Sequence, residues 1–135
     1  MTKSPDRSLD RFSRSSEAVM VIEDEYFIRA MIADELRNWG FQVVECGTAD
    51  EAMELLIAGA DVSIVFSDVR MPGSMDGAAF ALALNEQFPD LDVILTSSEP
   101  PNRFVAKQFV PKPYDPKGVI RLIDGLLGTS RPALR

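Results

Sequence analysis

Ser63-Ile-Val-Phe-Ser-Asp68-Val-Arg-Met-Pro-Gly73 is the stretch that decides how the rest of the chain is read. Its first five residues, Ser63 to Ser67, are rich in β-branched and aromatic side chains and predict a short buried strand. The run stops at a carboxylate, Asp68, and Met71-Pro72-Gly73 then breaks the backbone into a loop. An acid at the carboxyl end of an apolar strand lies at the mouth of the crevice where open α/β sheets bind ligands. An Asp after a strand also commonly does no more than open a turn. Matching chemistry at other strand ends separates the two readings.

Working outward, Ala18 to Ile22 is a second short apolar run, and it ends in Glu23-Asp24-Glu25. From Glu25 to Trp39 the apolar spacing becomes helical, through Phe27/Ile28, Met31/Ile32, Leu36 and Trp39, and Gly40 closes it. Phe41 to Cys46 predicts a strand. Thr48 and Glu51 form a T-x-x-E capping box that opens a helix burying Met53, Leu56 and Ile57 and ending near Gly59. After the Asp68 strand, Asp76 can cap a helix with the stripe Phe80, Leu84 and Phe88, and Pro89 stops it. Leu91 to Leu95 and Gln108 to Val110 predict the fourth and fifth strands. Asp115-Pro116 supplies an N-cap with proline at the first helical position, ahead of Val119, Ile120, Ile123, Leu126 and Leu127. Alternating strands and helices predict the α/β class, a doubly wound parallel sheet covered on both faces.

Composition removes several functions. The 135 residues suffice for one core, and 46% hydrophobic with 26% charged residues marks a globular chain. A formal charge of −7 argues against nucleic-acid binding, which needs clustered Lys and Arg on phosphates. There is no histidine, so histidine bases, triads and zinc sites are excluded. The lone Cys46 excludes an internal disulfide and fits a reducing, cytoplasmic setting. No apolar run reaches membrane-spanning length. Residues 1–17 are polar and of mixed charge and predict a disordered tail.

In a parallel sheet every strand's carboxyl end points to one edge. That edge collects Glu23 and Asp24, then Asp68, then Thr96-Ser97-Ser98, and finally Lys112 after the fifth strand. Hard carboxylate oxygens suit Mg²⁺, and three clustered acids repel one another unless a cation joins them. Lys112 adds a point charge for an anionic group arriving at Asp68, and Ser97 a hydroxyl. Phosphoryl transfer needs little beyond an in-line nucleophile and fixed positive charge. Each piece alone has a plainer reading, as helix-starting acids, a solvated lysine or a surface serine. Their conjunction at four strand ends is what specifies a site.

The motifs Val21-Ile-Glu-Asp-Glu25, Ser67-Asp-Val-Arg-Met-Pro-Gly73 with Met75-Asp-Gly77, Ile94-Leu-Thr-Ser97 and Phe109-Val-Pro-Lys-Pro113 together resemble the receiver domain of a two-component response regulator. The resemblance covers about Val19 to Leu127. It implies a flavodoxin-like, five-stranded sheet of order 2-1-3-4-5. It also implies that Asp68 accepts a phosphoryl group from the phosphohistidine of a sensor histidine kinase or histidine phosphotransfer protein. Glu23, Asp24, Asp68 and the Arg70 carbonyl would hold Mg²⁺, and Lys112 would pair with the phosphoryl oxygens. Ser97 would be the switch hydroxyl and Phe109 the switch aromatic. Thr96 takes the hydroxyl role if the fourth strand is one residue shorter, since a one-residue slip flips a side chain to the other face; Ser97 is favoured.

One departure stands out. Ser98 to Lys107, with Pro100-Pro101, is too short for the family's fourth helix, which is expected to be reduced to a loop. Arg70 and Glu99 are expected to flank the phosphoryl group and slow its hydrolysis. The expected organisation is a receiver domain over 18–128, a C-terminal tail over 129–135, and no output domain. Its output would be protein contact or service as a phosphate sink, not enzymatic turnover. Two competitors remain. An aspartate-nucleophile phosphohydrolase usually carries a second Asp two residues on, where this chain has Arg70. A receiver-like scaffold would bind partners without phosphorylation.

Overall fold

Five apolar runs form the strands β1 (Ala18–Ile22), β2 (Gln42–Cys46), β3 (Ile64–Asp68), β4 (Asp92–Ser97) and β5 (Gln108–Pro111). Between and after them lie α1 (Tyr26–Asn38), α2 (Ala49–Ile57), α3 (Gly77–Gln87) and α4 (Pro116–Thr129). The computed structural model describes residues 17–70, 73, 75–98 and 108–129. The loop expected in place of a helix, the Glu99 partner of Arg70 and both tails from 1–16 and 130–135 lie outside the described residues. Strand order is β2-β1-β3-β4-β5 with every neighbour parallel, as expected.

Side chains alternate across the sheet, so each strand feeds two cores. Met20, Ile22, Val65, Val93 and Leu95 face α2 and α3, packing with Met53, Leu56, Phe80 and Leu84. Val19, Val21, Ile64, Phe66 and Ile94 face the other way, toward α1 and α4, with Ile32, Leu36, Ile120 and Ile123. The central strands β1, β3 and β4 are buried on both faces, which is why they read as nearly unbroken apolar runs, while the edge strands β2 and β5 are only partly buried.

Local signals set the helix ends. Thr48 Oγ1 accepts from Glu51 N at 3.1 Å, while Glu51 Oε1 reaches back to Gly47 N at 3.0 Å. Asp76 Oδ1 accepts from Ala79 N at 2.9 Å and opens α3. Asp115 precedes Pro116 and accepts from Lys117 N at 3.2 Å. Gly40, at φ 99°, takes the left-handed turn that ends α1.

Several boundaries and faces differ from the sequence reading. Glu17, assigned to the tail, accepts a backbone bond from Gln42 N at 3.1 Å, and α4 runs on to Thr129. β3 starts at Ile64 and includes Asp68, and β4 runs Asp92–Ser97 rather than ending at Leu95. The inward row of α1 is Ile32, Ala33 and Leu36, whereas Phe27 is 82% exposed and Met31 and Trp39 are also exposed. Ile57 is 65% exposed beside buried Leu56. One residue is about 100° around a helix, so a neighbour of a buried position points elsewhere however apolar it is.

Gly77 couples the fold to the strand end. Its N–H donates to Val69 O at 2.8 Å, and a Cβ there would overlap the Asp68 carbonyl oxygen and Val69 Cα. Gly77→Ala must therefore displace the backbone beneath Asp68. It is expected to lower the unfolding free energy in urea by about 1–3 kcal/mol, the usual cost of overpacking. Gly125→Ala, where an added Cβ meets nothing within 4 Å, is expected to be neutral or stabilising.

Candidate metal and phosphoacceptor site at the carboxyl edge of the sheet

The parallel ladder continues one residue beyond three of the strands. Glu23 N donates to Cys46 O at 3.1 Å, Val69 N to Thr96 O at 3.0 Å and Lys112 N to Ser97 O at 2.9 Å. These bonds carry the ladder out to the rim. Glu23 and Asp68 are each only 6% exposed, while Asp24 projects into solvent. One carboxylate oxygen from each of Glu23, Asp24 and Asp68 lies within 4.8 Å of the others. The sequence reading brought these three together, and the fold does so.

Lys112 Nζ lies 2.8 Å from Asp68 Oδ2 and 3.9 Å from Glu23 Oε1. Burial disfavours its charge, but the hydrogen bond and charge of Asp68, with Glu23 and Asp24 behind, outweigh that and raise its pKa. On the other side, Arg70 N donates to Asp68 Oδ1 at 3.2 Å. The Glu23 carboxyl is pushed up to about 7, chiefly by burial, with the Asp68 charge adding and the Glu25 N–H and Lys112 opposing. Glu25 N donates to Glu23 Oε2 at 3.0 Å, fixing that carboxylate over its own loop.

The donor set fits a divalent cation. Three acids face one close ammonium, all donors are hard oxygens, and the buried pair Glu23 and Asp68 repel one another. Mg²⁺ characteristically takes one or two carboxylates together with waters and phosphoryl oxygens, which matches a rim open on the Asp24 side.

The strand-end hydroxyl on the same face as Asp68 is that of Thr96, not that of the favoured Ser97. Thr96 is the register partner of Asp68, so both side chains leave the sheet on the same face. Ser97 pairs with Pro111 and points to the opposite face. Thr96 Oγ1 is buried with no hydrogen-bond partner among the described residues, whereas Ser97 serves the site through the carbonyl that holds Lys112. Neighbours on a strand face opposite ways, so the choice between them is a choice of face that only the pairing with β3 resolves. Phe109 is half-buried and packs toward the α2 and α3 core, not against Asp68.

Three contributors were missed. Gly77 gives the close approach described above. Tyr114 stacks edge-on to Phe66 at 5.6 Å, and its phenol is pushed up to about 12 by burial, then by the charges of Glu23 and Asp68. Arg29 Nη1 donates to Glu23 O at 2.7 Å. Only the Met75-Asp-Gly77 motif hinted at any of them.

A doubly wound parallel sheet whose rim gathers three acids around one lysine defines a flavodoxin-like α/β domain with a candidate cation site. The family model for the response regulator receiver domain matches residues 19–124, and the chain belongs to that family. It is 33% identical over 121 residues to the two-component response regulator ORR6 of Oryza sativa, covering 82% of this chain and 71% of that one. It is 31% identical over 120 residues to the sensor kinase CckA of Brucella abortus, covering 83% of this chain but only 13% of the kinase. Among solved structures, the receiver domain of the Francisella response regulator 1452 superposes with a TM-score of 0.77 at 20% identity, covering 85% and 99% of the two chains. The Thermotoga maritima response regulator TrrA, in complex with Mg²⁺ and BeF, superposes at 0.73 with 23% identity, covering 82% and 98%. Among the described residues no helix is long and apolar enough to cross a membrane.

The raised Glu23 pKa has a testable sign. Folding favours its neutral form, so its contribution is present below the ordinary value of 4.5 and is lost as pH rises through about 7. Without divalent metal, the Tm is expected to be higher at pH 6 than at pH 8, and Glu23→Gln to remove most of that difference. An identical pH dependence in the variant contradicts the assignment.

Proposed function

We propose that Asp68 is a phosphoacceptor in a two-component pathway. It takes a phosphoryl group from a phosphohistidine of a sensor histidine kinase or a histidine phosphotransfer protein. The observation that carries this reading is the meeting of Glu23, Asp24 and Asp68 at one rim, with Lys112 2.8 Å from Asp68. Relatives that include a sensor kinase and a response regulator support the choice of partner class. The Mg²⁺ and BeF complex of the Thermotoga regulator supports the choice of ion.

In this mechanism an Asp68 carboxylate oxygen attacks phosphorus in line. The new bond is O–P, the broken one is the donor's N–P, and the imidazole nitrogen leaves with the electron pair. Lys112 moves its charge from the carboxylate to a phosphoryl oxygen, so no buried ammonium is stranded. Thr96 donates its otherwise unpartnered hydroxyl to another phosphoryl oxygen. Glu23, Asp24, Asp68 and the Arg70 carbonyl are the residues assigned to Mg²⁺, which when bound neutralises charge on the transferring group. The exposed apolar turn of α1, Tyr26, Phe27 and Met31, lies beside this rim and suits a donor's apolar helix face. The protein is not an enzyme for a small molecule in this reading. Its product is a phosphorylated surface read by protein contact, or a phosphoryl group drained from a relay.

Incubation with acetyl phosphate and Mg²⁺, followed by intact-mass analysis, is expected to add one phosphoryl group to the wild type and none to Asp68→Asn. Thr96→Ala is expected to slow the addition by roughly tenfold or more, the usual effect of removing one donor to a developing oxyanion, with Ser97→Ala much less affected. No added mass, or mass that persists in Asp68→Asn, favours a scaffold that binds without phosphorylation. Continuous release of phosphate from an ester favours a hydrolase.

A further inference from the structure

The acidic corner contains a cation that touches none of its carboxylates. Arg29, in the first turn of α1, donates from Nη1 to the Glu23 carbonyl oxygen at 2.7 Å. Its guanidinium is held on other sides as well. Nε lies 3.4 Å from Glu45 Oε1, an ion pair without a directed hydrogen bond. The Tyr26 ring centre is 5.5 Å from Cζ. Glu45 is itself anchored, since its Oε2 lies 3.0 Å from Arg37 Nη2 at the far end of α1. A chain of charges thus runs from α1, through the edge strand β2, to the end of β1.

We propose that Arg29 is a positioning residue that sets the cation affinity of the rim by fixing the peptide unit between Glu23 and Asp24. That unit is planar and rigid, so the direction of its carbonyl governs how both flanking Cα atoms present their side chains. Arg29 holds the oxygen on one side. Cys46 O holds the Glu23 N–H, and Glu25 N holds the Glu23 carboxylate, on the others. Two acids adjacent in sequence ordinarily diverge. Here one turns inward to Asp68 and Lys112 and the other outward, yet both keep an oxygen within 4.8 Å of Asp68. Remove the guanidinium and the carbonyl of a nearly buried residue loses its donor and turns in search of another, taking both carboxylates with it.

This inference rests on the Mg²⁺ reading proposed above, and one titration series separates the two. Mg²⁺ binding to the full chain is measured by calorimetry, with the unfolding midpoint of each variant in urea alongside. Arg29→Met is expected to weaken Mg²⁺ about tenfold, the lower end of the effect of losing a partner that orients metal ligands. Arg29→Lys, which keeps a donor for the carbonyl, is expected to recover most of that loss. A role confined to tethering α1 would lower the unfolding midpoint and leave the affinity alone. Equal Mg²⁺ affinity in wild type and folded Arg29→Met overturns the inference, as does Arg29→Lys binding no better than Arg29→Met. Should Arg29→Met fail to fold, Glu45→Gln keeps the guanidinium but removes its anchoring charge. That variant is expected to bind Mg²⁺ measurably more weakly than wild type, and unchanged affinity overturns the inference equally. A wild type that binds no Mg²⁺ instead brings down the metal reading itself.

Discussion

Uncompensated negative charge at a dry strand end governs this molecule. Asp68 closes an apolar strand and is almost removed from water, with Glu23 equally buried beside it. In a medium of low dielectric two neighbouring carboxylates cannot both ionise cheaply, and Lys112 offsets only part of the excess. Burial and repulsion emerge in the Glu23 carboxyl, pushed up to about 7. A site in this condition gains by taking up positive charge and then by exchanging ligands around it. Both are requirements for accepting a phosphoryl group.

The sheet delivers that condition through its pleat. Phe66 and Asp68 on β3, Ile94 and Thr96 on β4, and Val110 and Lys112 at the end of β5 all share one parity. Apolar residues of that parity pack under α1 and α4. Where the strands run out from under the helices, the same parity presents polar groups to a common rim. Core packing and site geometry are one register, and from the opposite face Gly77 of α3 lies directly against the Asp68 backbone.

Much of this was legible in the sequence because it is written as breaks in pattern. Apolar runs that stop at Glu23, Asp68 and Lys112 mark strand ends without any knowledge of pairing. Parallel topology then assigns those ends to one edge. What failed depended on a phase that composition does not carry. Thr96 and Ser97 differ by one residue and hence by one face, and only the pairing of Asp68 with Thr96 decides between them. Phe27 looked like core because it is apolar, but the row that packs is set by Ile32, Ala33 and Leu36, a fraction of a turn away. Arg29 was invisible because its partner is a backbone carbonyl, and every residue offers one of those. Its ion-pair partner, Glu45, lies on another strand.

The chemistry of this rim depends on where a cation sits. A crystal grown without phosphate and soaked in Mn²⁺, a stand-in for Mg²⁺ with strong anomalous scattering, locates it directly. The assignment of Glu23, Asp24 and Asp68 to the cation predicts one strong peak within coordination distance of their carboxylate oxygens. A peak elsewhere on the surface, or none at this rim at saturating Mn²⁺, contradicts it.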